Sequence, residues 1–437
     1  MGQKKTESNF LLFLLITYLQ HQKRKSGSLE KVQLLKDAVL LCEKDILTLA
    51  HHHIHHYLKE DMQTKGKEIE ASSDFIPLYD FQNNHFAYMV PLVEEGEIGY
   101  IVVGAIEDGY DCYEVFIKEN IVKEIKSFMF YLSKSSNLST QLVYLPSTSY
   151  VIQLINDQGI PQKYFDISYH LGLDDEITDD IHHYHAEIGL ENLYKHIRKD
   201  DNKKRINNIL DRHGNETSDH EIDEVMLSTE RNSRSFVPIY NNNVYSYGGN
   251  QTWWKDEGKS IKSIRGCGPV AAANLTYYLS IITNPTQYGE LYADETSNYH
   301  EFMKHMDVLY EYIAPRTYGA VSVSEFVANV EQYASDRGVS LHAVWREASF
   351  TVESTAEYIK EGLNLNSPIA TLNLSIPKIT GYPYQWHWMT ITKYWNKNED
   401  KWIVVSTWGQ RRIINYNQHL DAITSFLSVG GGFMYFK

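Results

Sequence analysis

Cysteine is scarce in this chain: three in 437 residues, Cys42, Cys112 and Cys267, lie far apart. They write no disulfide framework and no C-x-x-C zinc motif. Positive charge is also short, with 41 Lys and Arg against 56 Asp and Glu, a formal net charge of -15. Nucleic-acid binding draws its affinity largely from neutralised phosphates, so that class is set aside. A long apolar run is missing as well. Phe10 to Leu19 is about half of the ~20 residues that a bilayer-crossing helix needs, and no integral membrane span is expected. The run has the length of a signal-peptide core, yet no small-residue cleavage site follows it. Lys23, Arg24 and Lys25 stand where a neutral stretch belongs, which leaves the cellular address open between cytoplasm and export.

What the chain does have is apolar and aromatic residues: 43% hydrophobic content, 32 Tyr and 8 Trp, with only 22% charged residues. That composition excludes a disordered chain and favours packed sheets. At ~100–200 residues per domain, two to four domains are expected.

Residues 1–70 read as a helical segment, with Leu29, Val32, Leu35, Val39 and Leu40 at mostly three- and four-residue spacing. The segment runs into His51-His52-His53-Ile54-His55-His56. On a helix, His51 with His55 and His52 with His56 form i,i+4 pairs of zinc-chelating type. No carboxylate lies nearby in sequence to complete a site, so a solvated, pH-sensitive face is expected and no metal or other cofactor is assigned. Residues 71–158 change to a period of two: Phe86 to Val93, Gly99 to Ile106, Tyr113 to Ile117 and Gln141 to Gln153 are expected strands, and Ile121 to Leu132 a helix. This is a small α+β unit. Residues 159–235, rich in Asp, Glu, Asn, Lys and His, read as a charged, partly helical linker open to proteolytic nicking.

The chemistry lies in residues 236–437. In Arg265-Gly266-Cys267-Gly268-Pro269-Val270-Ala271-Ala272-Ala273, glycines frame a cysteine and Pro269 opens a helix, where its missing N–H costs nothing. A thiol at a helix N-terminus is favoured as thiolate, and the free N–H groups there can receive an oxyanion. The flanking glycines permit close approach of a substrate backbone. A cysteine nucleophile needs a base. The best placed is His387, in Trp386-His387-Trp388-Met389-Thr390-Ile391, where alternation puts His387, Met389 and Ile391 on one strand face. His300, His305 and His419 read as surface residues, and His342 as an outward-facing strand residue. Trp402 to Gly409 continues as a second strand, with Asn396 to Lys401 as the turn.

The order of Cys at a helix start, His on a strand and Trp408-Gly409 ending the next strand resembles the papain-like cysteine peptidase superfamily, in particular its bacterial streptopain-like and bacteriocin-leader-peptidase-like branches. The resemblance covers about residues 236–437. It implies an α+β fold in which a helix bearing the Cys packs on an antiparallel sheet bearing the His. It also implies cysteine-peptidase activity on a peptide or protein substrate, with Gln251 lending an amide to the oxyanion hole. Where the family has Asn-Ser-Trp-Gly this chain has Ser406-Thr407-Trp408-Gly409, which places Ser406 in the role of orienting His387, with Trp408 as its shield. Residues 75–155 are similar in pattern to streptopain-type prodomains, which implies a zymogen whose front half contacts the catalytic groove. Acyl transfer to another acceptor and a catalytically inactive peptide-binding protein remain open beside hydrolysis, and metal sensing by the His clusters stands as a further alternative.

Overall fold

The computed structural model describes residues 38–437 except 147, 169–170, 172–175, 179–196, 213–220, 242, 293–296, 314–320, 345–350, 375–385 and 425–431. The N-terminal apolar run and the 182–185 His cluster thus lie outside the described residues. The fold is mixed α+β around a large, mostly antiparallel sheet, and no described helix is long and apolar enough to cross a membrane.

The front half begins with α1 (Glu43–His53), which widens into a π-helical turn over Ile54–Leu58. The strands β1 (Glu70–Ala71), β2 (Ile76–Tyr79), β3 (His85–Val93), β4 (Glu97–Gly104) and β5 (Cys112–Ile117) follow, then α2 (Ile121–Ser136). The expected single strand over Gln141 to Gln153 is a hairpin, β6 (Ser139–Leu145) with β7 (Ser149–Ile155), paired Leu145 to Ser149 across its turn. Pro146, which has no N–H to give a ladder, sits at that turn.

The segment read as a linker contributes ordered elements. These are β8 (Pro161–Asp166), α3 (Asp200–Asp211) and β9 (Asp223–Met226). The helical stretch at Ile206 is a packed helix, with Ile206 and Ile209 buried against α1. β9 lies along the far half of a long C-terminal strand.

A short antiparallel pair, β10 (Tyr240–Asn241) with β11 (Val244–Tyr245), opens the back half, which is built around α4 (Cys267–Tyr278), all twelve of whose residues are buried. A helix that is small and apolar on every side belongs in a core. α4 packs against α5 (Tyr299–Tyr312) and the sheet, with α6 (Val323–Ser335) beyond α5. The ends of α5 and α6 are fixed by side chains: Asn298 accepts from Glu301 N, and Ser322 forms a capping box with Glu325. Then come β12 (Ala343–Val344), α7 (Val352–Asn364), β13 (Ile369–Leu374), β14 (Trp386–Lys397), β15 (Asp400–Thr407), β16 (Gln410–Asn415), α8 (Tyr416–Thr424) and β17 (Phe433–Phe436).

The two halves share one sheet, in the order β12-β17-β13-β14-β15-β16-β5-β4-β3-β2-β6-β7-β8. The junction is β16 on β5, where Ile413 faces Val115 and Ile414 faces Glu114. Side chains reinforce it: Arg412 Nη1 reaches Glu114 at 3.3 Å, and Asn415 Nδ2 donates to Cys112 O at 2.9 Å. Behind it lies a second buried cluster. Asp61 accepts from Arg411 Nη2 at 2.8 Å and from Tyr57 at 2.9 Å and pairs with Lys393 at 3.3 Å, while Glu230 takes Arg411 Nε at 2.8 Å. Paired cations hold the Asp61 carboxyl well below the usual range despite its burial.

Candidate active site

The N-terminus of α4 is set by packing at Gly266. A Cβ there would fall 2.1 Å from the Trp254 ring and 2.5 Å from Lys262 O. The glycine expected to admit a substrate is thus required by the core. Cys267 follows as the first helical residue and is 7% exposed. It shares a small cavity with Gly249, Gln251, Asn274, His387, Ser406, Thr407 and Trp408. Of the four expected site residues, Cys267, His387, Gln251 and Ser406, all line this cavity.

His387, 5% exposed, stands near the start of β14. Its ring stacks on Trp408 with centroids 4.3 Å apart and planes 18° from parallel. Its Nε2 is hydrogen-bonded to Thr407 Oγ1 at 2.6 Å. The expectation that Ser406 orients the imidazole is corrected here: the Ser406 hydroxyl donates to Tyr247 O at 2.5 Å. The cause is a β-bulge. Next to the turn, Lys397 faces Asp400 and Asn396 faces Lys401. Carried on unbroken, that register would set Ser406 opposite Ile391, on the face of His387. Between Ile391 and Lys393 the register shifts by one, so Ser406 faces Thr390 and the next residue, Thr407, shares the face of Met389 and His387. The extra residue, Thr392, is bonded to Tyr247 OH at 2.7 Å.

Gln251 spends one amide N–H on Ser263 O at 2.8 Å and keeps a second donor at the cavity wall. Asn274, which the sequence did not single out, accepts from Gly249 N at 2.7 Å and ties the loop before the Cys to α4. Gly248 has a φ of 94°, and a Cβ there would lie 2.4 Å from Ser406 Oγ. Ser406 therefore belongs to the support of this loop.

Electrostatically the site is closed and neutral. Burial pushes the Cys267 thiol up, against the backbone N–H groups of Trp388, Gly268 and Cys267 itself that face its sulfur. Burial alone pushes His387 down to about 3. A standing thiolate–imidazolium pair is disfavoured in this state.

Two other histidines expected at the surface are core residues. His305 bonds Thr276 Oγ1 at 2.8 Å, and His419 bonds Thr371 Oγ1 at 2.8 Å. Burial holds each at about 3, unsuited to acid–base work near neutrality. His342 is exposed, as expected, and lies just before β12.

No protein-family model and no curated protein matches the sequence.

Proposed function

We propose that the back half is a cysteine peptidase of papain-like architecture. The observation that carries this reading is a thiol at a helix N-terminus and an imidazole on an antiparallel strand lining one cavity, with the imidazole fixed by Thr407 and stacked on Trp408. Because Nε2 is held by Thr407, Nδ1 is the nitrogen available to Cys267. On substrate entry, Sγ attacks the peptide carbonyl carbon while the thiol proton passes to His387 Nδ1. The carbonyl oxygen becomes an oxyanion facing the backbone N–H of Cys267 and the second amide N–H of Gln251. His387 then protonates the departing amine as the C–N bond breaks, leaving a thioester. Water, deprotonated by the same imidazole, hydrolyses the thioester and restores the thiol.

The front half is proposed as a prodomain-like unit that docks on the sheet edge at β16. The described residues that line the cavity all come from 249–408, and the front half meets the back half elsewhere, through the β5–β16 pairing, the Asp61 cluster and the α1 histidines on Asp400. A second reading, a peptide-binding protein without turnover, is favoured by one feature: both reactive groups are buried and neutral in the closed state.

The test is the rate of Cys267 alkylation by iodoacetamide across pH 4–9 on the full chain, for wild type and His387→Ala, followed by a peptide-library digest. Alkylation that slows at least tenfold in the variant, with cleavage by wild type alone, is expected. Equal rates in both proteins and no cleavage would leave the binding protein.

A further inference from the structure

The His cluster at the end of α1 is not the solvated face its sequence suggests. His52, His53 and His56 are buried, and the carboxylate that the local sequence lacks arrives from the β14–β15 turn as Asp400. We propose that His52, His53, His56 and Asp400 form a binding site for a divalent transition ion of the zinc class, which staples the N-terminal helix to the hairpin carrying His387 and Thr407.

The geometry converges on Asp400. His52 Nε2 lies 2.9 Å from Asp400 Oδ2, and His56 Nδ1 bonds the same oxygen. The widened turn from Ile54 carries His56 beside His52, with ring centroids 4.3 Å apart. Such π-turns gather at functional sites. Ligand atoms of His52, His53 and Asp400 all lie within 4.8 Å of one another. Zinc bonds of ~2.0–2.1 Å in a tetrahedron set ligand atoms about 3.3 Å apart, so these three need to draw together by about 1–2 Å to close on an ion.

The second observation is His53, 1% exposed. Its Nε2 bonds Asp111 Oδ2 at 2.8 Å, and its Nδ1 makes no hydrogen bond, lying buried 3.8 Å from Asp400 Oδ1. A carboxylate on one ring nitrogen fixes the N–H there and leaves the other as a bare lone pair, the arrangement of a metal-ligating histidine with its outer carboxylate. An unpaired buried lone pair is costly without such a partner. Arg205 on α3 bonds Asp111 Oδ2 at 3.0 Å and also Asp400 Oδ1. Its guanidinium balances the two carboxylates without the ion and keeps Oδ1 occupied, which leaves Oδ2 for the ion. His52, His53 and Asp400 supply three nitrogen and oxygen ligands of zinc type, and His56, bonded to the same carboxylate oxygen, is the fourth donor at hand.

The test uses the untagged full chain, stripped with a chelator and dialysed, titrated with cobalt(II) and then zinc(II). One equivalent of cobalt giving the visible bands of a four-coordinate ion, bleached by zinc, is expected, together with a rise in Tm on adding zinc. His53→Gln keeps an amide donor for Asp111 but removes the Nδ1 lone pair, and should weaken binding at least tenfold. Asp111→Asn should weaken it about 10–100-fold without touching a ligand. A His51→Ala, His55→Ala double variant should bind as wild type. Absence of four-coordinate bands, or unchanged affinity in folded His53→Gln and Asp111→Asn, would overturn the site. So would loss of binding in the double variant alone.

Discussion

Thr407→Val removes one hydroxyl at nearly constant volume from a buried strand end, and tests whether the bulge in β14 decides what holds His387. The hydrogen bond lost is 2.6 Å long and joins two groups with almost no solvent access. A buried ring nitrogen left unpaired costs about 1–3 kcal/mol. At about 1.36 kcal/mol per decade, and if the whole loss falls on the step in which His387 takes the thiol proton, Cys267 alkylation should slow about 5- to 160-fold. Thr407→Ser keeps the hydroxyl and should stay within a few-fold of wild type. Ser406→Ala breaks the bond to Tyr247 O instead, and should lower stability by about 1 kcal/mol while leaving the alkylation rate near wild type. The assay is stopped-flow or quenched labelling with neutral iodoacetamide from pH 5 to 9, Cys267 followed by mass spectrometry, with urea melts beside it. Slow labelling in Ser406→Ala combined with unaffected labelling in Thr407→Val would refute the bulged register as the basis of the site.

Three further outcomes are expected. His305, His387 and His419 are held at about 3 in the folded chain against about 6.5 unfolded, so between those values the unfolded state binds more protons and stability falls as pH falls. Each should remove about 2 kcal/mol between pH 7 and pH 5, and His419→Gln should reduce the pH slope of urea stability by one proton; an unchanged slope would contradict its neutral burial. Asp61→Ala leaves Arg411 and Lys393 short of a buried counter-charge and should cost about 3–5 kcal/mol in urea unfolding, whereas a loss under 1 kcal/mol would mean that solvent reaches the cluster. Gly266→Ala drives a methyl into Trp254 and should cost at least about 1–3 kcal/mol and slow Cys267 labelling, with unchanged behaviour showing that the helix start can shift freely.

The period-two pattern of residues 86–117 was enough to place β3, β4 and β5, and small residues behind Pro269 marked α4, because each element satisfies its own burial rule along the chain. Cys267 and His387 were legible for the same reason: helix-start chemistry and strand alternation are local. Thr407 was not. Its role depends on one extra residue at Thr392, and a bulge is fixed by pairing with β15 and by the Tyr247 contact, neither of which the strand's own residues announce. The His cluster failed in the opposite direction. Its spacing was visible, but Asp400 lies 344 residues from His56 and only the fold unites them. The 159–235 stretch misled through composition, since the half-buried Arg205 is paired with the buried Asp111 and Asp400 and two isoleucines suffice to anchor α3.

The pairing of β16 with β5 alters what a cut chain would be. A single backbone break anywhere between 159 and 235 severs the connection in sequence, yet the two pieces remain joined through strand hydrogen bonds, Arg412 on Glu114 and Asn415 on Cys112. Nicking would therefore produce a two-chain complex of unchanged mass under native conditions. Release would demand a second event that displaces β5 and also parts Asp61 from Arg411 and Lys393, and the bared flank of β16 would then offer its unpaired backbone to any extended strand at hand, including that of a neighbouring molecule.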